Sequence, residues 1–320
     1  MKNILVVAEL LEQSVTDLSV QCLTKARELA DGQGATVHCV VIGSQVDGVC
    51  DTIARYGADK IWSADDAQLK NYSASSYQRI IADCARECAP EFILFPSSTQ
   101  GNDCAATLAT TLGAACVLEC KDMQCEGTTL TLKRMEFDGK VLTSFTAAPG
   151  ATIVATQRDG SVEVKENKKT PARAPLNVTL TGVEHAARVI SREIAKKTVD
   201  LKAAKIIVTA GAGVGSRENF KVIEDLAQAL GGEIAATRPV VDAGWATPDR
   251  QVGQTGATVR PDLYIACGVS GAVQHRVGMM DAKTIIAINT DASAPIFKIA
   301  NYCIVGDLNT VLPKLTKLLT

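Results

Sequence analysis

Apolar runs of strand length alternate with amphipathic stretches through the first third of the chain. NILVVAEL, ATVHCVVIG, KIWSA and EFILFPSS are short β-rich runs. Between them, SVTDLSVQCLTKARELA, VDGVCDTIARYG and SYQRIIADCARECA repeat apolar residues three and four apart, which predicts helices. Strands that alternate with helices build a parallel sheet. After NDCAATLATTLGA the texture changes. TLTLKRMEF, KVLTSFTA and ATIVATQRD follow one another without a helix and alternate apolar with polar, predicting added antiparallel or edge strands.

The stretch Val164 to Pro175, VKENKKTPARAP, is charged, contains proline and has no apolar period, so it reads as an exposed connector. A second α/β pattern starts at AAKIIVTAGAGVG, continues with ENFKVIEDLAQALG, and runs through DLYIACG, AKTIIAIN and YCIVGDL. The fold class is therefore α/β throughout. An N-terminal parallel-sheet domain with added antiparallel strands takes residues 1–195, connector included, and a Rossmann-like α/β domain takes 196–320.

Length agrees with two domains, since 320 residues exceed the size at which one core stops growing, roughly 250 to 300. A formal net charge of -2 argues against a nucleic-acid footprint, so small molecules or proteins are the expected partners. MKNILVVAELLEQS turns acidic at Glu9 and Glu12 and shows no small-residue cleavage site, so it reads as a first strand rather than a signal peptide. No run of about 20 apolar residues is long enough to span a bilayer, and a cytoplasmic, reducing location is expected. The 11 cysteines lack paired metal or cluster spacing, so most are expected to be small, reduced core residues with no metal bound.

Candidate chemistry gathers in the second half. GAGVGS follows a strand and opens a helical pattern, a context in which glycines let backbone N–H groups approach a phosphate. Ser216 stands where a third glycine would complete the dinucleotide fingerprint, so an ordinary strand-to-helix turn is an equal reading. TRPVVDAGW brings Arg238, and RQVGQTGATVRPD brings Gln251, Gln254 and Thr255 on a glycine-punctuated loop. With CGVSGAVQH, Asn289 and Asp307, these segments place polar groups at the carboxyl ends of successive strands, where open α/β sheets bind ligands. Each residue alone has a bland alternative. His275 can be a packing histidine, Arg238 a surface ion pair, and Asn289 or Asp307 a turn or helix cap.

TRPVVDAGW, QVGQTG, LYIACGVSGAVQH, AINTDASAPIF and VGDL, in that order, resemble the α subunit of electron transfer flavoprotein. The likeness is most specific from Lys205 to Pro313, and ILVVAE and KRMEFDGK extend it to the N-terminal half. It implies FAD in the C-terminal domain, a heterodimer with a β subunit, and electron delivery from a dehydrogenase to a quinone reductase or other acceptor. It also leaves room for an electron-bifurcating complex. By the same likeness, Ser270, Gly271, Ala272, Val273, Gln274 and His275 run from the pyrophosphate to the flavin ring. Val252, Gly253, Gln254 and Thr255 line the ring, Thr237 and Arg238 set a cation beside it, and Asn289, Asp307 and Leu308 hold the adenosine end. Ala212 replaces an arginine common in that family's first glycine loop, leaving Arg217 or backbone groups to meet the phosphates. An NAD- or nucleotide-using enzyme, or a regulatory nucleotide-binding module, is the alternative reading of the same sheets.

Overall fold

The structure, a computed structural model, describes residues 1–137, 139–148, 150–180, 189–191 and 198–319. The chain divides into two compact units, Met1–Arg192 and Glu193–Thr320. The boundary expected at 195/196 falls within 192–197, outside the described residues.

In the first unit, the strands are β1 (Asn3–Ala8), the short pair β2 (Leu10–Leu11) and β3 (Ser14–Val15), β4 (Thr36–Gly43), β5 (Lys60–Asp65) and β6 (Phe92–Pro96). They are followed by β7 (Ala115–Glu126), β8 (Thr129–Glu136), β9 (Val141–Thr146), β10 (Ile153–Gln157) and β11 (Ala172–Pro175). The helices are α1 (Asp17–Asp31), α2 (Asp47–Ile53), α3 (Ala74–Cys88) and α4 (Thr99–Leu112). Nine strands form one sheet in the order β11-β5-β4-β1-β6-β10-β7-β8-β9. Alternation along β1 decides which helices cover which face. Ile4, Val6 and Ala8 join the core under α1 and α2, while Leu5 and Val7 join the core under α3 and α4.

The antiparallel addition is β8 and β9, as the sequence pattern suggests. ATIVATQRD is different: its strand β10 lies in the sheet interior, parallel to both β6 and β7. All five of its residues are buried, so its apolar–polar alternation marks two covered faces and not an edge. The connector is also more than a tether. Asn167 and Lys169 donate backbone N–H groups to Arg55 and Ala54, Lys169 pairs with Asp59, and Ala172–Pro175 add the edge strand β11 beside β5. Its side chains remain mostly exposed, which explains the missing apolar period.

The second unit holds β12 (Ile206–Ala210), α5 (Lys221–Leu230), β13 (Glu233–Ala236), α6 (Arg238–Asp242), β14 (Leu263–Cys267), α7 (Val273–Arg276), β15 (Thr284–Asn289), β16 (Tyr302–Val305) and α8 (Leu308–Leu319). Its five strands are all parallel in the order β13-β12-β14-β15-β16, a doubly wound sheet. Val208, Ala210, Ile265 and Cys267 face Ile223 and Leu226 of α5 and Leu312 of α8. The opposite face, with Ile207, Tyr264 and Ala266, is covered largely by loop residues such as Val252, Val259, Val269 and Ile296. Chain direction reverses between β12 and β14, and a crevice opens there.

All 11 cysteines are free and eight are buried. Among the described residues, no group of three His, Cys, Asp or Glu is placed to hold a metal ion. None of their helices is long and apolar enough to cross a membrane.

Candidate functional site

At the carboxyl ends of the second sheet lies a cleft of about 660 Å³. The loop after β12 contributes Ala212 and Gly213, and the segment after β13 contributes Thr237, Arg238 and Pro239. Gln251, Val252, Gly253, Gln254 and Thr255 form a third wall, and Gly268, Val269, Ser270, Ala272, Gln274 and His275 a fourth. Asn289, Asp291, Ala294 and Pro295, after β15, complete it.

Close packing of the two switch-point loops makes the glycines necessary. A Cβ on Gly211 would stand 2.2 Å from the Gly268 carbonyl oxygen, and one on Gly213 would stand 2.8 Å from the Gly268 Cα. Real side chains there would force the loops apart. Gly271 serves a different end. Its φ is +83°, and a Cβ would meet the Ile296 backbone nitrogen at 2.2 Å, so its bareness is demanded by the fold behind the cleft and Gly271 does not line it.

Backbone bonds lock the walls together. Val252 N–H donates to the Ala236 carbonyl at 3.0 Å, Gln254 N–H to the Gln274 carbonyl at 2.7 Å, and Ile296 N–H to the Ser270 carbonyl at 3.1 Å. Asn289 bridges two loops, donating its amide to the Val269 carbonyl at 2.9 Å and accepting the Asp291 N–H at 3.0 Å. Gln251 Nε2 donates to the Thr255 hydroxyl at 2.9 Å. The single turn of α7 supplies little macrodipole. Its first peptide N–H groups, at Val273 and Gln274, precede the helix's own bonds, which begin where His275 and Arg276 donate to the Ala272 carbonyl.

His275 is only 7% exposed, and both ring nitrogens have protein partners: the Val252 carbonyl at 3.0 Å from Nδ1 and the Tyr264 hydroxyl at 3.1 Å from Nε2. Burial pushes its pKa down to about 4, opposed by the bond to Val252, so the ring is neutral near pH 7. Arg238 and Asp291 are therefore the charged side chains among the lining residues. Arg238 is 67% exposed and its Nε lies 3.5 Å from the equally exposed Asp242, a weak pair that leaves the guanidinium available. The Ser293 hydroxyl and N–H hold the Asp291 carboxyl below its ordinary value.

The cleft gathers eleven of the fifteen residues singled out in the sequence. The other four lie outside its walls. Besides Gly271, Val273 sits on α7, Asp307 accepts the Asn309 N–H at 3.0 Å at the start of α8, and Leu308 is buried in the core under α5. Arg217 lines a separate hollow with Trp245 and Arg250, so it does not replace the cation missing at Ala212. Two short 3-10 turns, Ala212–Val214 and Glu218–Phe220, separate the glycine loop from α5, which is why that helix start lies away from the cleft. Asp291, Ala294 and Pro295 were missed, although TDASAPIF directly follows the strand ending at Asn289.

The donor set fits a flavin dinucleotide. Thr237 Oγ1 is buried in the cleft wall with no hydrogen-bond partner, a polar group that a bound ligand would satisfy. Apolar and small side chains dominate the rest, as a flat aromatic ring system requires.

Comparison with known proteins agrees with that geometry. The model of the electron transfer flavoprotein domain matches residues 4–181, and that of the electron transfer flavoprotein FAD-binding domain matches residues 200–280. The electron transfer flavoprotein subunit alpha of Thermoanaerobacterium thermosaccharolyticum is 36% identical over 318 residues, 98% of this chain and 96% of that one. The same subunit of Bacillus subtilis is 35% identical over 321 residues, covering 99% and 97%. The acryloyl-CoA reductase electron transfer subunit beta of Anaerotignum propionicum is 33% identical, covering 98% and 94%. These matches span both units, and the chain belongs to the electron transfer flavoprotein family as an FAD-binding α subunit that carries electrons.

Proposed function

We propose that this chain pairs one-to-one with a β subunit and holds FAD in the cleft at the β12/β14 switch point. The single observation that carries the placement is the convergence there of a glycine-to-glycine loop contact, an unpartnered Thr237 hydroxyl and a lining cation at Arg238. Bound FAD supplies one- and two-electron transfer. The protein's part is to bind, orient and bias it.

Val252 to Thr255 form the wall against the ring, with the Thr255 hydroxyl turned to its edge. Arg238 stands where reduction builds negative charge, and a fixed cation there favours the reduced form. Ser270 and the first N–H groups of α7 meet the pyrophosphate in place of a cation at Ala212. Asn289 belongs to the adenosine end, joined by Asp291, whose carboxylate suits ribose hydroxyls better than phosphate. Asp307 and Leu308 act there only indirectly, through the start of α8 and through Leu308 behind Gly268.

Electrons enter from a flavin dehydrogenase and leave to a quinone reductase or another acceptor. The acryloyl-CoA reductase relative supports an acyl-CoA oxidoreductase as one of the two, and an electron-bifurcating assembly is consistent with the same chain. Unpaired, mostly buried cysteines support a reducing, cytoplasmic setting. Co-expression with the β subunit tests the reading: a yellow heterodimer with flavin absorption is expected, and a colourless complex, or an FAD-replete monomer, contradicts it.

A further inference from the structure

The segment 238–251 serves two concavities. Arg238, Pro239 and Gln251 line the cleft, whereas Trp245, Ala246, Thr247 and Arg250 line the separate hollow, whose volume of about 320 Å³ is at the small end of the roughly 300 to 1,000 Å³ that small-molecule sites occupy. Its apolar lining is firmly held. Phe220, just before α5, is 8% exposed, and Ile234 and Trp245 are half-buried against the same core. The Trp245 N–H donates to the Val240 carbonyl at 3.1 Å, which fixes the turn that carries the indole.

Around this lining, Arg217, Lys221 and Arg250 face Glu218 and Glu224, an excess of one positive charge. The pairings show which cation is unspent. Lys221 Nζ lies 2.7 Å from Asp225 and 4.0 Å from Glu224, and Arg250 donates to the Ile234 carbonyl at 2.9 Å with Glu233 3.9 Å away. The Ser216 hydroxyl first, and the Arg217 charge least, hold the Glu218 carboxyl below its ordinary value. Among the described residues, the Arg217 side chain makes no hydrogen bond or ion pair, and the Trp245 indole N–H donates to no protein group. Two donors of one hollow therefore lack an acceptor.

We infer that this hollow binds a monocarboxylate with a flat apolar body, its carboxylate on Arg217 and the Trp245 indole N–H and its body against Phe220, Ile234 and the indole ring. A guanidinium offers a carboxylate two parallel N–H bonds, and one unspent cation suits one negative charge. A polyanion would meet Glu218 and Glu224 with nothing left to neutralise it. Arg217 is exposed, so the affinity should fall as salt rises. The site stands apart from the cleft and does not depend on where the cofactor lies.

Benzoate titrated into the full-length heterodimer tests it, read on the Trp245 indole N–H signal by nitrogen-15 NMR and assigned by the loss of that signal in Trp245→Phe. A saturable shift is expected, with the Trp62 signal unmoved. Arg217→Ala removes an exposed, unpartnered group, so the fold should hold while benzoate binds about tenfold more weakly, the scale of one charge-assisted hydrogen bond. Arg217→Lys keeps the charge and should recover part of the loss. Benzamide has the same ring without the charge, and it should bind wild type about tenfold more weakly than benzoate does. An unmoved Trp245 signal, an affinity unchanged in Arg217→Ala, or equal binding of benzoate and benzamide overturns the site. A benzoate response kept in Arg217→Ala but lost in Ala272→Trp would place the binding in the cleft and overturns it as well.

Discussion

Each unit of this chain is built on parallel strands whose order in the sheet reverses at one point, yet only one of these two reversals is open. In the first unit it lies between β1 and β6, and in the second between β12 and β14. The first is filled by the protein itself. Ser98, at the start of α4, accepts the Gly101 N–H at 2.8 Å and donates its hydroxyl to the Glu9 carboxylate, leaving a cavity of about 10 Å³. The second is a cleft of about 660 Å³ with an unpartnered threonine in its wall. Topology supplies the same opportunity twice, and the side chains at the strand ends decide whether a ligand can take it. An acid already sits at the helix start in the first unit, where an anionic ligand would otherwise be stabilised.

The largest expected effect breaks the second unit. Gly271→Val places a branched side chain at positive φ against the Ile296 backbone, which costs about 3 to 5 kcal/mol by strain and overpacking. Thermal denaturation of the heterodimer should show the melting temperature and flavin content falling together. Loss of flavin from a variant of unchanged stability would mean that Gly271 touches the ligand directly.

Acid should act on the second unit more than on the first through His275. Its folded pKa of about 4 lies below the ordinary value of 6.5, so between those limits the unfolded state binds the extra proton. Stability is full above pH 6.5 and is lost as pH falls toward 4, by about 3 kcal/mol for this group. Denaturant titrations of wild type and His275→Gln across that range isolate the contribution. Parallel pH curves for the two proteins would contradict the buried, neutral imidazole.

Arg238→Ala touches only electrostatics. The residue is exposed, and the phosphate and adenosine contacts proposed above lie elsewhere, so FAD should remain bound. Removing one partly screened cation should lower the reduction potential by an amount equivalent to about 1 to 2 kcal/mol. Spectroelectrochemistry measures it, and an unchanged potential would reduce Arg238 to its surface pairing with Asp242.

Glu9→Gln probes the closed reversal and should do least. The amide oxygen can still accept from Ser98, and burial already raises the carboxyl pKa, so removing the charge should change stability by less than about 1 kcal/mol. Flavin content, measured by absorbance, should not change. Gain of a bound nucleotide by this variant would show that one charge alone separates the two reversals.

Much of this was legible in the sequence because periodicity reports burial. Two covered faces and an uncovered one give different patterns, and the βα alternation of both units follows from that. The failures have the same physical root. ATIVATQ alternates because threonine and glutamine are buried beside isoleucine and alanine in β10, so residue type misreported exposure. VKENKKTPARAP has no period because its contacts to the sheet edge are made by backbone, which side-chain patterns do not record. In the cleft, strand ends and glycine spacing located the loops. They did not distinguish glycines that line the cleft from Gly271, whose constraint comes from the Ile296 backbone 25 residues later. Nor did they separate an Asp that lines the cleft from Asp307, which caps a helix.

The most direct test of one open and one closed reversal is a flavin count on a blocked cleft. Ala272 lines the cleft, is exposed, and holds an extended backbone that any side chain can adopt. Ala272→Trp should fill the space without disturbing the core. FAD per heterodimer, measured by absorbance after desalting, is predicted to fall by one equivalent at an unchanged α-to-β ratio and with both sheets intact by circular dichroism. A variant that keeps its full flavin complement would place the cofactor outside this cleft.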